Sequence, residues 1–480
     1  MRDELVTELK GELQVNQNIE EIRTKLISKG YLDNDVDEAI TIASKDILSQ
    51  KKIPKSRDAA KSILKSFLDR IGFGFGSPQY INILFQQIGA SLFLVGIING
   101  IKTIISALIS SYVREHQKQK NIKGTSIGFS EILISLSFIL FIVAYLKHSL
   151  PLFILGMILL GIFFAYYNDA FNMRFKLTLK ENKKEQFTGK ITHLGLILTG
   201  ICLFLSAYIM DKFPSAGYSM QFSLFEKEYV FSIYGYTIAF GIAALFFIIS
   251  GLMIINSKTP ENQKKVSIGE TVKNCLSNYR NNLSVLFKNK IILVLIITGT
   301  ITGFVQTLGN SYYGIFIFNN FHSIGFGGFL NVAMIFIIAI AASIIAPLVT
   351  RKNAIEYGKF PMLLFGTMLM AIMPLSYYYK PNLISISMGT ILGIIGGAIT
   401  GVAQGLLTLD LINDYERKMY FESVNLFATI PLLITIPLGS YIAQVLGLKT
   451  LFLLLAILLA CVVVPLYFII IVSYNKKEKI

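Results

Sequence analysis

The sequence predicts an all-α membrane protein of twelve transmembrane helices in two six-helix halves. Three observations carry that expectation: twelve long apolar runs, a charged fraction of only 15% in 480 residues, and basic residues gathered on alternate loops. A helix needs about 20 apolar residues to cross a hydrocarbon core of about 30 Å. The runs are 71–90, 92–113, 127–146, 150–171, 191–210, 231–255, 291–318, 327–349, 360–379, 383–409, 420–444 and 450–473. Mean hydropathy is +0.60 and 53% of residues are apolar, as expected where every backbone group is paired inside its own helix.

The domain plan follows. Residues 71–255 and 291–475 form the two halves, joined by a basic loop, 256–290, that carries Lys258, Lys264, Lys265, Lys273, Arg280, Lys288 and Lys290. The net charge of +15 does not point to nucleic acid, because residues 1–70 hold 13 basic and 13 acidic side chains and are neutral. The loops after the even-numbered spans, with the tail 476–480, hold 25 Lys and Arg; the opposite loops hold five. By the positive-inside rule both termini are cytoplasmic, and the setting is the plasma membrane. No cleavable signal is visible after Met1, and Trp is absent, so interfacial aromatics are Tyr.

Residues 1–52 read as a cytosolic helical module. Ile19, Ile22 and Leu26 form one stripe closed by Gly30, and Val36, Ile40, Ala43 and Ile47 form a second. The pair resembles short interaction modules of the ubiquitin-associated type, which makes a protein partner one reading and a plain appendage the other. Residues 53–70 place Arg57, Lys61 and Lys65 opposite Ile63, Leu64, Phe67 and Leu68, the pattern of a helix lying on the cytoplasmic membrane surface.

The halves carry a faint repeat. Gly76, Tyr80, Phe85 and Gln86-Gln87 recur at the same offsets as Gly309, Tyr313, Phe318 and Asn319-Asn320. The six-plus-six plan, the central basic loop and the passage Ile88-Gly89-Ala90-Ser91, Gly96, Ser106-Ala107-Leu108 resemble the major facilitator superfamily over about residues 67–475. The loops Ser110–Lys118 and Pro347–Lys352 keep that family's basic character without its Gly and Asp. The resemblance implies a secondary active or facilitative transporter of a small solute, in which two halves rock around a midplane site. It also implies ion pairs that latch one side, with Asp169 and Arg174 in one half and Asp410 and Arg417 in the other. Solvated charges at helix ends are the plainer reading.

Intramembrane polar residues supply the site candidates. Lys102, about 16 Å from the cytoplasmic end of its span, is the one cation near mid-membrane. It is either a cavity group for an anionic solute or a lysine bonded to carbonyls. Gln79, Asn99, Gln306, Asn310 and Gln404 offer amides for a polar solute or for a neighbouring helix. Glu131 is the nearest carboxylate to Lys102 and a candidate coupling group, or an acid favoured near a helix N-terminus. No carboxylate lies deep in the spans at 71–90 and 291–318, which leaves proton coupling unsupported.

In the span at 383–409, Gly393, Gly397, Gly401 and Gly405 predict a close-packed stripe. Cys202, Cys275 and Cys461 have no metal or disulfide spacing, and no cofactor motif appears. Two rivals to a transporter are a transporter-like receptor or scaffold, using residues 1–52 as its contact surface, and a polytopic enzyme. His116, His148, His193 and His322 are scattered, and no catalytic signature accompanies them.

Overall fold

A computed structural model describes residues 56–119, 124–178, 184–213, 217–224, 227–255, 277, 290–356, 358–412, 420, 424 and 427–477. The module at 1–52, nearly all of the loop at 256–290 and the end of the tail lie outside them.

Among the described residues eleven helices are long and apolar enough to cross a membrane. The remaining expected span, 71–90, is two helices: α1 (Ser56–Phe75) and α2 (Pro78–Gln87). Pro78 explains the break. It has no N–H to continue the helix and holds the preceding Ser77 at ψ 134°, so α2 starts afresh with Ser77 as its cap. The first half continues with α3 (Leu92–Gln119), α4 (Gly124–Leu146), α5 (Leu150–Thr178), α6 (Lys184–Lys212) and α7 (Gly235–Ile255). An antiparallel hairpin, β1 (Tyr218–Leu224) with β2 (Lys227–Ile233), fills the connection between α6 and α7.

The second half runs through α8 (Lys290–Phe321), α9 (Gly328–Glu356), α10 (Lys359–Tyr378), α11 (Leu383–Leu411) and α12 (Leu432–Val445). Its last span is α13 (Leu448–Ile457), a π-turn at Leu458–Val463 and α14 (Val464–Lys477). The architecture is thus helical and polytopic.

Each half packs its own aromatic core. Phe138 stacks on Phe247 at 5.7 Å and Phe141 meets Phe153 at 4.7 Å in the first; Tyr313 stacks on Tyr377 and Phe452 at 4.4 and 5.2 Å in the second. The loop between the third and fourth spans of each half holds a non-glycine residue in the left-handed region: His148 (φ 48°) and Lys380 (φ 43°). Such residues are uncommon, so their recurrence at one place in both halves supports the internal repeat.

Two sequence expectations change. The surface helix at 53–70 is the beginning of the first span, and its faces are reversed: Leu64 is 52% exposed while Lys65 and Asp69 are buried. In a bundle surrounded by lipid, apolar side chains face outward and charges survive only where the protein pairs them. The glycine stripe of α11 also bends away from its expected path. A Cβ on Gly389, Gly393 or Gly396 would strike α10 at Ser376, Met373 or Gly366, whereas Gly401 and Gly405 face open space. Steps of four residues drift by about 40° each on a helix of 3.6 residues per turn, so a strict every-fourth stripe leaves the contact.

Candidate functional site

The halves meet around a cavity of about 790 Å³. Its walls come from the N-terminus of α2 (Ser77, Gln79, Asn82), one face of α3 (Asn99 to Ser110), Gly161 and Phe164 of α5, α8 (Gly299 to Ser311), and the start of the α12 span. Of the candidates read from the sequence, Lys102, Asn99, Gln79, Gln306 and Asn310 line it. Gln404 does not; it lies on α11, half-buried.

Lys102 is the one ionisable side chain in the lining. Its stem lies against Gly161: a Cβ there would come within 2.5 Å of the Lys102 Cγ. The glycine therefore makes room for the lysine. Among the described residues the ammonium has no ion-pair partner. The cap of α2 lies in the same wall, so the positive end of that helix dipole also borders the cavity. Lys102 thus lines the cavity, with its stem packed on Gly161.

The amides divide by role. Asn99 donates to Asn82 Oδ1 at 2.9 Å and to the Val95 carbonyl at 3.0 Å, and Asn82 donates to the carbonyls of Asn310 and Ser311, both at 3.4 Å. These bonds stitch α2, α3 and α8 together. Gln79 Oε1 is buried without a partner and faces Gly314 of α8, where a Cβ would come within 2.7 Å of it. Gln306 and Asn310 are exposed to the cavity. Asn82 escaped the sequence reading, although it stands one helical turn from Gln79 and so on the same face. Ser106, Ser110 and Thr307 also line the wall; common helix hydroxyls gave no signal of that role.

Hydrogen bonds between the halves cluster at the end of the bundle opposite the described chain ends. Asn319 donates to Gln86 (3.1 Å), the Phe93 amide to Gln444 (3.3 Å), and Tyr312 to the Leu92 carbonyl (2.8 Å). The Asp211 carboxylate at the end of α6 accepts from the Phe329 and Leu330 amides at 2.9 and 2.7 Å, capping α9 from the other half. The cavity is closed on that side. Its lining extends down α3 as far as Ser110, toward the side of the chain ends.

Of the latch candidates, the side chains of Asp169 and Asp410 are described. Asp410 pairs with Lys359 of α10, which joins two helices of one half. Arg417 and the Arg174 side chain lie outside the described residues, and Asp169 Oδ2 is buried with no hydrogen-bond partner. Glu131 does not approach Lys102 as a pair: it is bonded to Lys65 of α1. Asp69, on the same helix, is a buried carboxyl in the first span, which the span boundary at residue 71 had left out. Among the described residues no group of side chains is placed to hold a metal ion.

A twelve-span fold with a polar cavity between its halves, sealed at one end, defines a membrane solute transporter. The family model of the major facilitator superfamily matches residues 227–430 of the chain. Solved structures agree in fold. The nucleoside transporter NupG superposes with a TM-score of 0.64 at 11% identity, covering 85% of this chain and 98% of its own. A bacterial homologue of the iron transporter ferroportin, in an inward-facing state, gives 0.61 at 10% identity, with 86% and 98% covered. A POT family transporter in complex with a thioalcohol-conjugated peptide gives 0.55 at 13% identity, with 88% and 96% covered. No curated protein sequence matches the chain.

Proposed function

We propose that the protein moves a small solute with an anionic group across the plasma membrane by alternating access. The observation that carries this is the unpaired Lys102 ammonium in a cavity whose lining holds no carboxylate. A cation at membrane depth without a counter-ion is costly, and an anionic group on the solute supplies the missing charge. The amides of Gln306 and Asn310, exposed to the cavity, then bind the uncharged part.

The excess of basic loops puts both termini in the cytoplasm, so the closed end is outside and the structure is inward-open. Rocking of the halves would break the Gln86–Asn319 and Asp211–α9 bonds and close the cytoplasmic mouth. A cavity of this volume suits a solute of nucleoside or short-peptide size. The test is thermal stabilisation of the purified protein by a panel of small carboxylates and phosphates, with uncharged nucleosides as controls. Anionic compounds are expected to stabilise the wild type and not Lys102→Met; stabilisation of both proteins alike, or by uncharged solutes alone, overturns the reading.

A further inference from the structure

A second polar site lies inside the first half, apart from the solute cavity. Lys65 and Asp69 of α1 and Glu131 of α4 are 1%, 3% and 0% exposed. The Lys65 ammonium bonds Asp69 Oδ2 at 2.8 Å and Glu131 Oε1, and it sits over the rings of Tyr167 and Phe171 at 4.4 and 4.1 Å. Asp69 also accepts from the Tyr167 hydroxyl and from Ser250 of α7. Both its oxygens are therefore engaged, by three donors. Glu131 has one oxygen engaged; Oε2 is buried with no partner.

The charges decide what this cluster does. Among the described residues, the bonds of the cluster join two carboxyls to one ammonium, one negative charge in excess where solvent cannot reach it. The next cation along α1, Arg70, turns its stem to Gly195 of α6. Among the described residues α5 brings the Tyr167 hydroxyl to the cluster, and α7 presents Ser250 and Gly251. A buried charge without compensation costs several kcal/mol, roughly, whereas a neutral carboxylic acid costs far less. Asp69 has three donors to hold a charge, whereas Glu131 has one oxygen left without any.

We propose that Glu131 is a proton-binding site, built by Lys65, Asp69, Tyr167 and Ser250 and separate from the cavity at Lys102. The step is Glu131–COOH releasing a proton to leave Glu131–COO⁻ against the Lys65 ammonium, and taking it back. Only the use to which that proton is put rests on the transport reading.

The test is infrared spectroscopy of the full chain reconstituted in lipid while the pH is stepped, with no solute present. The wild type should show the C=O stretching band of a protonated buried carboxyl, lost as pH rises. Glu131→Gln should lack that component, and Glu131→Asp should keep it at a shifted frequency. A wild type without such a band, or a Glu131→Gln protein that retains it unchanged, overturns the proposal. Should Glu131→Gln fail to insert, the Asp variant decides: an unshifted band places the proton elsewhere. Because the solute is absent, failure here leaves the transport reading standing, and failure of the solute panel leaves the proton site standing.

Discussion

Asn319 at the end of α8 donates a hydrogen bond to Gln86 at the end of α2, 3.1 Å away and 233 positions apart. The two occupy the same place in the internal repeat, so each half bonds its own counterpart in the other. Equivalent residues meet this way only near a pseudo-two-fold axis, which places the bond on the axis of the outer seal.

Replacing Lys102 with Met should lower transport at least tenfold at normal membrane abundance, about 1.4 kcal/mol of lost interaction. Met keeps most of the apolar stem against Gly161, so folding should be spared. Lys102→Arg should restore only part of the rate, because the guanidinium is larger and planar. Flux into vesicles, normalised to protein, is the measurement. Parental rates in the Met variant would make Lys102 a structural residue.

Asp211→Ala should loosen the outer seal. Losing a cap of this kind costs about 0.5–2 kcal/mol, which shifts the open–closed equilibrium by roughly 2- to 30-fold. In a cysteine-free background with Ser106→Cys on the cavity wall, labelling from outside by an impermeant maleimide should quicken by that factor. An unchanged rate would mean that the other seal bonds suffice alone.

Gly396→Ala should lower the melting temperature, since its Cβ would lie 2.5 Å from the Gly366 carbonyl oxygen. Gly405→Ala, facing open space, should be neutral or slightly stabilising, because Ala favours the helix by up to about 1 kcal/mol. Melting curves of the two purified variants give the comparison. Equal losses would show that backbone approach between α10 and α11 is not what limits these sites.

The exposed loop at Lys380 should be extracellular. A Lys380→Cys protein, otherwise free of cysteine, should react with impermeant maleimide in intact cells, and a cysteine at the native position 275 should not. The opposite pattern would invert the orientation and with it the meaning of the closed end.

Much of this was legible because a bilayer imposes a simple code: long apolar runs mark the spans, and Lys102 stands out within one. The code fails where a charge is paid for by a partner far away in sequence. Lys65 looked like the wet face of a surface helix because Glu131, Tyr167 and Ser250, which surround it and Asp69, are 66 to 181 positions off. Their spacing of four residues fits an ion pair on a helix but says nothing about what surrounds it. Gln404 is not in the cavity lining, since an amide in a span is equally at home beside a neighbouring helix. The hairpin of α6–α7 lay in a stretch read only as a loop.

The interruption between Phe75 and Pro78 divides one span into segments with different loyalties. α1 is tied by its ion cluster to α4, α5 and α7, while α2 is bonded to α3 and α6 of its own half and also to α8 of the opposite half. A continuous rod would carry any tilt of its outer part down to Lys65 and Asp69. The joint lets the outer part tilt without levering on Lys65 and Asp69, so the charged cluster is insulated from movement at the far end of its own span.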